Sequence, residues 1–257
     1  MSKVKVLMLR APGTNRDVDT QIAFELAGAP VVDSTLVNEL VRKEKRLADY
    51  QIMVIPGGFT YGDDISAGKI MANEIRLGLG ENIKKFVADG RLVLGICNGF
   101  QVLVKTGILP GIEHQGAQPV TLTNNDSGKF ECRWVYLKVN KKSPCVFTKG
   151  IDTIYVPIAH GEGKLVAEPG MLEKLNIVVQ YVDEKGETEA GYPNNPNGSV
   201  KDIAGICDAT GRIFGLMPHP EDFIRWTQHP RWTREKERQD LYGLQIFTNA
   251  VAWARGI

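Results

Sequence analysis

An α/β fold, with a mostly parallel sheet between two layers of helices, is what this sequence predicts. Two observations carry it. Short apolar runs alternate with amphipathic stretches through the first half of the chain, the rhythm of successive strand–helix–strand units. The segment 91–105, Arg91-Leu-Val-Leu-Gly-Ile-Cys97-Asn-Gly-Phe-Gln101-Val-Leu-Val-Lys105, then reads as a buried strand, a one-residue corner and a helix. Such sheets hold their ligands beyond the carboxyl ends of the strands.

In order, 5–9 is the first strand, 17–27 a helix, 31–36 a strand and 50–55 a buried strand. Helices are expected over 64–72 and 82–89, then the corner strand 92–95. The second half carries more hairpin signals: a strand over 131–139, a hairpin around Asp208-Ala-Thr-Gly211, a strand over 212–218 and a closing helix over 240–254. The tract Gly191-Tyr-Pro-Asn-Asn-Pro-Asn-Gly198 predicts a surface loop. There are no repeats and no low-complexity linker. With 257 residues, 43% of them hydrophobic, the chain can bury a full core, and a single domain over 1–257 is expected.

A net charge of +1 offers no electrostatic case for nucleic acid or an anionic membrane surface. The first ten residues show a strand pattern without the apolar core of a leader, and neither a membrane span nor a secretory segment is expected. Four cysteines without C-x-x-C spacing support no zinc site or redox dithiol, so no metal is expected, and such usage suits a reducing cytoplasm. Neither a Walker A pattern nor G-x-G-x-x-G occurs, which argues against a nucleotide site of either common kind on this chain.

The corner is where the chemistry points. Gly95 and Gly99 flank Cys97 as G-x-C-x-G, the thiol counterpart of the elbow that presents a serine in α/β hydrolases. Small neighbours let strand and helix approach, and a helix beginning at Asn98 aims its positive dipole end at the sulfur, favouring the thiolate. Cys132 in a strand, Cys145 in a loop and Cys207 in the hairpin have no such corner. A thiolate needs a base, and His219-Pro220-Glu221 follows a strand directly. The prolines hold the backbone extended, so His219 and Glu221 face the same side and the carboxylate can orient the imidazole. His114 and His229 lie in polar connections and are expected at the surface, whereas His160 ends a strand in a Gly-flanked turn and is a candidate supporting residue. Gly57 and Gly58 follow the strand ending at Pro56; backbone N–H groups of Gly58 and Asn98 are the natural pair to receive an oxyanion.

Taken together, the elbow Gly95-Ile-Cys97-Asn-Gly99-Phe-Gln101, the segment Pro56-Gly57-Gly58 and the segment Pro218-His219-Pro220-Glu221 resemble class I, or triad, glutamine amidotransferases, whose fold is flavodoxin-like. Phe59-Thr-Tyr-Gly-Asp63, Ile65-Ser-Ala-Gly68, the stretch 125–134 and Pro157-Ile-Ala-His-Gly-Glu-Gly163 resemble the purine branch, the glutaminase subunits of phosphoribosylformylglycinamidine synthase. The resemblance runs to about Asp222. It implies that Cys97 attacks the carboxamide of glutamine, that His219 moves the protons with Glu221 orienting it, and that Gln101, Gly57 and His160 help bind the substrate. It implies a separate synthetase subunit binding ATP and Mg²⁺, a small third subunit, and no cofactor on this chain. Residues 223–240, with two tryptophans and alternating charges, form an extension beyond the resemblance that suits partner docking or a solvated helix.

Rival readings are an amidotransferase for another acceptor, a cysteine hydrolase or chaperone of the DJ-1/PfpI type, and a noncatalytic scaffold. The His-x-Glu spacing after a late strand argues against the second, and the intact Cys97, His219 and Glu221 against the third.

Overall fold

Apolar runs without alternation become the central strands, buried on both faces. The computed structural model describes residues 3–111, 118–189 and 191–257. Its elements are β1 (Lys5–Arg10), α1 (Asp17–Leu26), β2 (Val31–Leu36), α2 (Val37–Val41), β3 (Ile52–Ile55), α3 (Lys69–Gly78), α4 (Gly80–Ala88), β4 (Leu92–Ile96) and α5 (Asn98–Lys105). The second half adds β5 (Val120–Thr123), β6 (Glu131–Val139), β7 (Thr153–His160), β8 (Lys164–Ala167), β9 (Asn176–Val182), β10 (Ile203–Cys207), β11 (Ile213–Leu216) and α6 (Leu244–Ala254).

One sheet of nine strands runs β2-β1-β3-β4-β11-β10-β9-β6-β7, and β5 pairs with β8 in a small second sheet. Pairing from β2 through β11 is parallel; from β11 to β7 every pair is antiparallel. The sheet is therefore mixed, its parallel half formed by the βα rhythm and its antiparallel half by the hairpins. β3, β4, β10 and β11 are buried along their whole length, whereas β7 alternates buried and half-buried positions, as strands covered on two faces and on one face do. α1 and α6 pack together, with Phe24 edge-on to Phe247 at 5.0 Å. α2, α3, α4 and α5 form the other helical layer, as right-handed crossovers in opposite directions from β1 require.

β4, between β3 and β11, brings three carboxyl strand ends together: Ile55, Ile96 and Leu216. The expected segments after β3, β4 and β11 thus become neighbours.

Four expectations change. The helix expected over 64–72 begins at Lys69, because Tyr61, Gly62, Asp63 and Gly68 all adopt left-handed angles. The Asn/Pro/Gly tract is a loop, but only its start is exposed: Asn197 is fully buried, donating from Nδ2 to the Gly163 carbonyl at 2.9 Å. Residues 223–240 form 3-10 turns at Trp226–Gln228 and near Gln239, not a helix. His229 is buried, stacked on Trp226 at 4.5 Å and ringed by Trp134, Tyr155 and Phe223. Trp134 and Tyr155 come from the distant strands β6 and β7, and the 3-10 turn folds Phe223 and Trp226 back over the ring, so local polarity misplaced this histidine. His114 lies outside the described residues.

Candidate active site

Cys97 adopts φ 50° and ψ −105°, a strained conformation for any residue with a Cβ. Its N–H donates to the Leu216 carbonyl at 2.8 Å, pinning the corner between β4 and β11. The flanking glycines are sterically required. A Cβ at Gly99 would lie 1.8 Å from the Ile55 carbonyl oxygen, and one at Gly95 would lie 2.7 Å from the Gly99 carbonyl oxygen. The G-x-C-x-G pattern is thus the condition for α5 to close against β3 and β4.

His219 leaves β11 with its N–H donating to the Pro157 carbonyl at 2.8 Å. Its Nδ1 lies 2.7 Å from Glu221 Oε1, and both side chains are buried. The contact matches the sequence reading by a different route: Pro220–Asp222 turns as a 3-10 helix, carrying the carboxylate back under the ring. Burial alone would lower the His219 pKa, but the charges of Glu221 and of a Cys97 thiolate outweigh it and hold it well above the ordinary value. His219 Nε2 has no hydrogen-bond partner. With Nδ1 committed to Glu221, that open nitrogen is the one available to exchange protons at the sulfur. Arg16 forms an ion pair with Asp222, tying the loop after β1 to this turn. Gly57 provides clearance, since a Cβ there would lie 2.9 Å from His219 Cε1.

A pocket of about 200 Å³ opens above the thiol, lined by Gly58, Cys97, Gln101 and His160 among others. That is smaller than the about 300–1,000 Å³ of drug-sized sites and suits a free amino acid. Larger clefts of about 320, 560 and 600 Å³ elsewhere contain no cysteine beside an imidazole. Cys97 Sγ lies 3.7 Å from the Ala159 carbonyl, so the end of β7 forms one wall.

Gly58 (φ 147°) has room only for hydrogen, because a Cβ would come within 2.7 Å of the Gly13 carbonyl oxygen. The Asn98 N–H is in the first turn of α5, where helical donors lack an internal acceptor. The Asn98 side chain is a brace: Oδ1 accepts from Thr60 Oγ1 at 2.7 Å, and Nδ2 donates to Gln101 Oε1 at 3.0 Å. Gln101 Nε2 in turn donates to the Glu162 carbonyl at 2.6 Å. The loop after β3, the elbow helix and the turn after β7 are therefore linked.

His160 is held in one tautomer. Asn125 Nδ2 donates to the carbonyls of Lys129 (2.9 Å) and His160 (2.8 Å), which makes Oδ1 the acceptor end; it takes the Gly163 N–H at 3.0 Å and faces His160 Nδ1 at 3.1 Å. The proton is on Nδ1, and the buried Nε2 is a bare acceptor without a partner. Burial and the neighbouring charge of His219 push this imidazole down to about 3.

This constellation of elbow thiol, imidazole and carboxylate is accompanied by a sequence match. The model of the CobB/CobQ-like glutamine amidotransferase domain matches residues 3–254. The chain belongs to this family. It is 59% identical over 257 residues to the phosphoribosylformylglycinamidine synthase subunit PurQ of Dehalococcoides mccartyi, covering all of both chains. Identity to the PurQ subunit of Methanococcus maripaludis strain S2 is 44% over 266 residues, covering 97% of each. Among solved structures, a chain of PurLQS from Thermotoga maritima superposes with a TM-score of 0.73 at 32% identity, covering 98% of this chain and 99% of that one.

Sequence reasoning missed the supporting residues of this amidotransferase site. Arg16 and Asp222 are separated by most of the chain, and no local pattern joins them. Asn125, Asp63 and Glu162 lay within the segments that carried the family resemblance, but their contacts are visible only once those segments meet.

Proposed function

We propose that this chain is the glutaminase subunit of a phosphoribosylformylglycinamidine synthase, a single domain over residues 1–257 acting in de novo purine biosynthesis. Cys97, as thiolate, attacks the side-chain carbonyl carbon of glutamine. The oxyanion forms between the N–H groups of Gly58 and Asn98. The His219 imidazolium, oriented by Glu221, gives its proton to the departing nitrogen; ammonia leaves and a glutamyl thioester remains. His219 then takes a proton from water as the water attacks the thioester, releasing glutamate and restoring the thiolate. The observation that carries this reading is Cys97 on its strained corner beside the buried His219–Glu221 pair, 2.7 Å between its polar atoms.

Ammonia passes to a separate synthetase subunit that binds ATP and Mg²⁺, with a small third subunit completing the assembly in the cytoplasm. The designation of the curated relatives as a synthase subunit and the PurLQS assembly of Thermotoga maritima support this division. Among the described residues no helix is long and apolar enough to cross a membrane, and none of their His, Cys, Asp and Glu side chains cluster in threes as metal ligands.

The test uses the complex reconstituted with the synthetase. Cys97→Ala abolishes synthesis from glutamine but leaves synthesis from ammonium salts, whose rate rises with pH because free NH₃ attacks. Loss of both activities in an assembled complex would overturn the reading.

A further inference from the structure

The turn after β11 and the loop after β3 are joined through one side chain of a third segment. Arg16 ends the loop after β1, at the position just before α1. Its N–H donates to the Gly57 carbonyl at 3.2 Å, and the Phe59 N–H donates to the Gly13 carbonyl at 3.0 Å, so the two loops are laced together on both sides of Gly58. The aliphatic stem of Arg16 then runs past Gly57. A Cβ on Gly57 would lie 3.3 Å from Arg16 Cγ and 2.9 Å from His219 Cε1, so stem and imidazole approach the same bare position. Beyond it the guanidinium pairs with Asp222 and stands 3.3 Å from Asp19 of α1. The backbone behind this reach is fixed, because the Arg16 carbonyl accepts both the N–H (3.2 Å) and the hydroxyl (2.7 Å) of the buried Thr20.

Charge makes the second observation. The turn carries two adjacent acids, and Glu221 is buried with only Oε1 engaged by His219; its Oε2 has no hydrogen-bond partner among the described residues. Burial, and then the Glu221 charge, raise the Asp222 pKa above the ordinary carboxyl value, against the pull of His219 and Arg16. Burial works against the Arg16 charge in turn, but Asp222, Glu221 and Asp19 outweigh it. Arg16 thus answers both acids of the turn, and it does so from outside the pocket that holds Cys97.

We propose that Arg16 is a positioning residue of the glutaminase: through Asp222 it fixes the turn that carries Glu221, through Gly57 it sets that turn against the loop that carries Gly58, and its charge balances the acids behind His219. The inference rests on the glutaminase reading and deepens it. The charged and titratable groups around His219 are Glu221 and Asp222 of its own turn, Cys97 of the elbow and His160 of β7, with Arg16 and then Asp19 on the α1 side. A neutral His219 takes the proton from water in thioester hydrolysis, so a change in this balance moves the acid limb of turnover. Loss of the cation leaves the acids uncompensated, favours the imidazolium and moves the limb to higher pH. Loss of the Asp222 charge moves it to lower pH.

The experiment follows glutamine turnover against pH in the complex with the synthetase, with wild type, Arg16→Gln, Arg16→Lys, Asp222→Asn and the double variant Arg16→Gln/Asp222→Asn. Synthesis from ammonium salts by the same complexes reports that they are assembled, and it should be retained in all of them. Arg16→Gln should lower kcat roughly 3- to 100-fold with KM changed less than about threefold, because alignment rather than binding is lost. Its acid limb should rise by about half a pH unit or more. Asp222→Asn should lower the limb, the double variant should return it close to its wild-type position, and Arg16→Lys, which keeps the charge, should hold it there. Limbs that stay in place, or that move the same way in both single variants, would make Arg16 a brace of the fold alone and overturn the proposal. So would an unchanged kcat in Arg16→Gln, a loss confined to KM, or a parallel loss of ammonium-supported synthesis. Absence of glutamine turnover by the wild-type complex would instead overturn the glutaminase reading itself.

Discussion

The charge of His219 reaches His160, yet the proton affinities of the two imidazoles are shifted in opposite directions, and each shift makes a testable statement. The His160 pKa falls from 6.5 to about 3, first through burial and then through the charge of His219. Below about pH 6.5 the unfolded chain binds a proton at this residue that the folded chain refuses, so folding stability declines as pH falls from about 6.5 towards 3, by up to about 1.4 kcal/mol per unit. Urea midpoints followed across that window should show a shallower acid loss in His160→Gln; an unchanged profile would mean the imidazole is already protonated in the folded state. For His219 the sign reverses. Its raised folded value stabilises the protein below its ordinary value and is lost as pH rises through the folded value. In catalysis His219→Ala should slow glutamine turnover by roughly 10²–10⁴-fold, because it removes the proton carrier, whereas Glu221→Gln keeps the shape and should cost less. Steady-state assays of both variants test the order, and near-normal turnover by His219→Ala would remove it from the triad. The nucleophile and the His-x-Glu pair were legible because each is encoded within five residues. The tautomer of His160 was not, since it depends on Asn125 and Gly163, which reach the ring only through the fold.

At the scale of elements, the parallel half was legible and the irregular joints were not. β2 and β6 match their expected bounds, and α5 starts at the expected Asn98, because hydrophobic run and helix start coincide with residue chemistry there. The helix after β3 was placed five residues early. Its apolar residues repeat at helical spacing, but successive left-handed residues from Tyr61 to Asp63 and Gly68 bend the chain first. The contact of His219 with Glu221 was right and its cause was wrong: a 3-10 turn, rather than extended chain, brings them together. The elbow itself supplies the sharpest test of an element. Gly99→Ala would force a Cβ to within 1.8 Å of the Ile55 carbonyl, so β3 and α5 must separate. Overpacking of this kind costs about 1–3 kcal/mol, and a displacement of that joint also moves Gly58 and Asn98, the proposed oxyanion donors on either side of it. Thermal unfolding should drop, and glutamine turnover should fall by more than the loss of folded protein explains.

Across the whole molecule, residues 223–240 connect the antiparallel half of the sheet to the catalytic turn. The sequence suits them to partner docking or a solvated helix; the structure replaces the helix with 3-10 turns and ties the segment into the fold itself. Phe223 is fully buried, 5.3 Å from the Trp134 ring of β6 and 4.7 Å from that of Tyr242, and His229 completes the cluster. From that cluster the chain returns to the active site: Gly243 N–H donates to the Phe223 carbonyl at 2.9 Å, and a Cβ on Gly243 would lie 2.1 Å from the Pro220 carbonyl oxygen. The turn that carries Glu221 is thus buttressed by the segment behind it. Phe223→Ala should cost about 3–5 kcal/mol of stability, the range for a large aromatic side chain removed from a core. Trp232→Ala, at a half-exposed position whose carbonyl rather than ring accepts from Trp226 Nε1, should cost under about 0.5 kcal/mol. Gly243→Ala then separates packing from chemistry. Pushing against Pro220, it should lower glutamine turnover while synthesis from ammonium salts by the same complex is retained, because only the His219–Glu221 turn is displaced. If glutamine turnover survived Gly243→Ala in full, the segment would be a cover on the sheet and not a support for the triad.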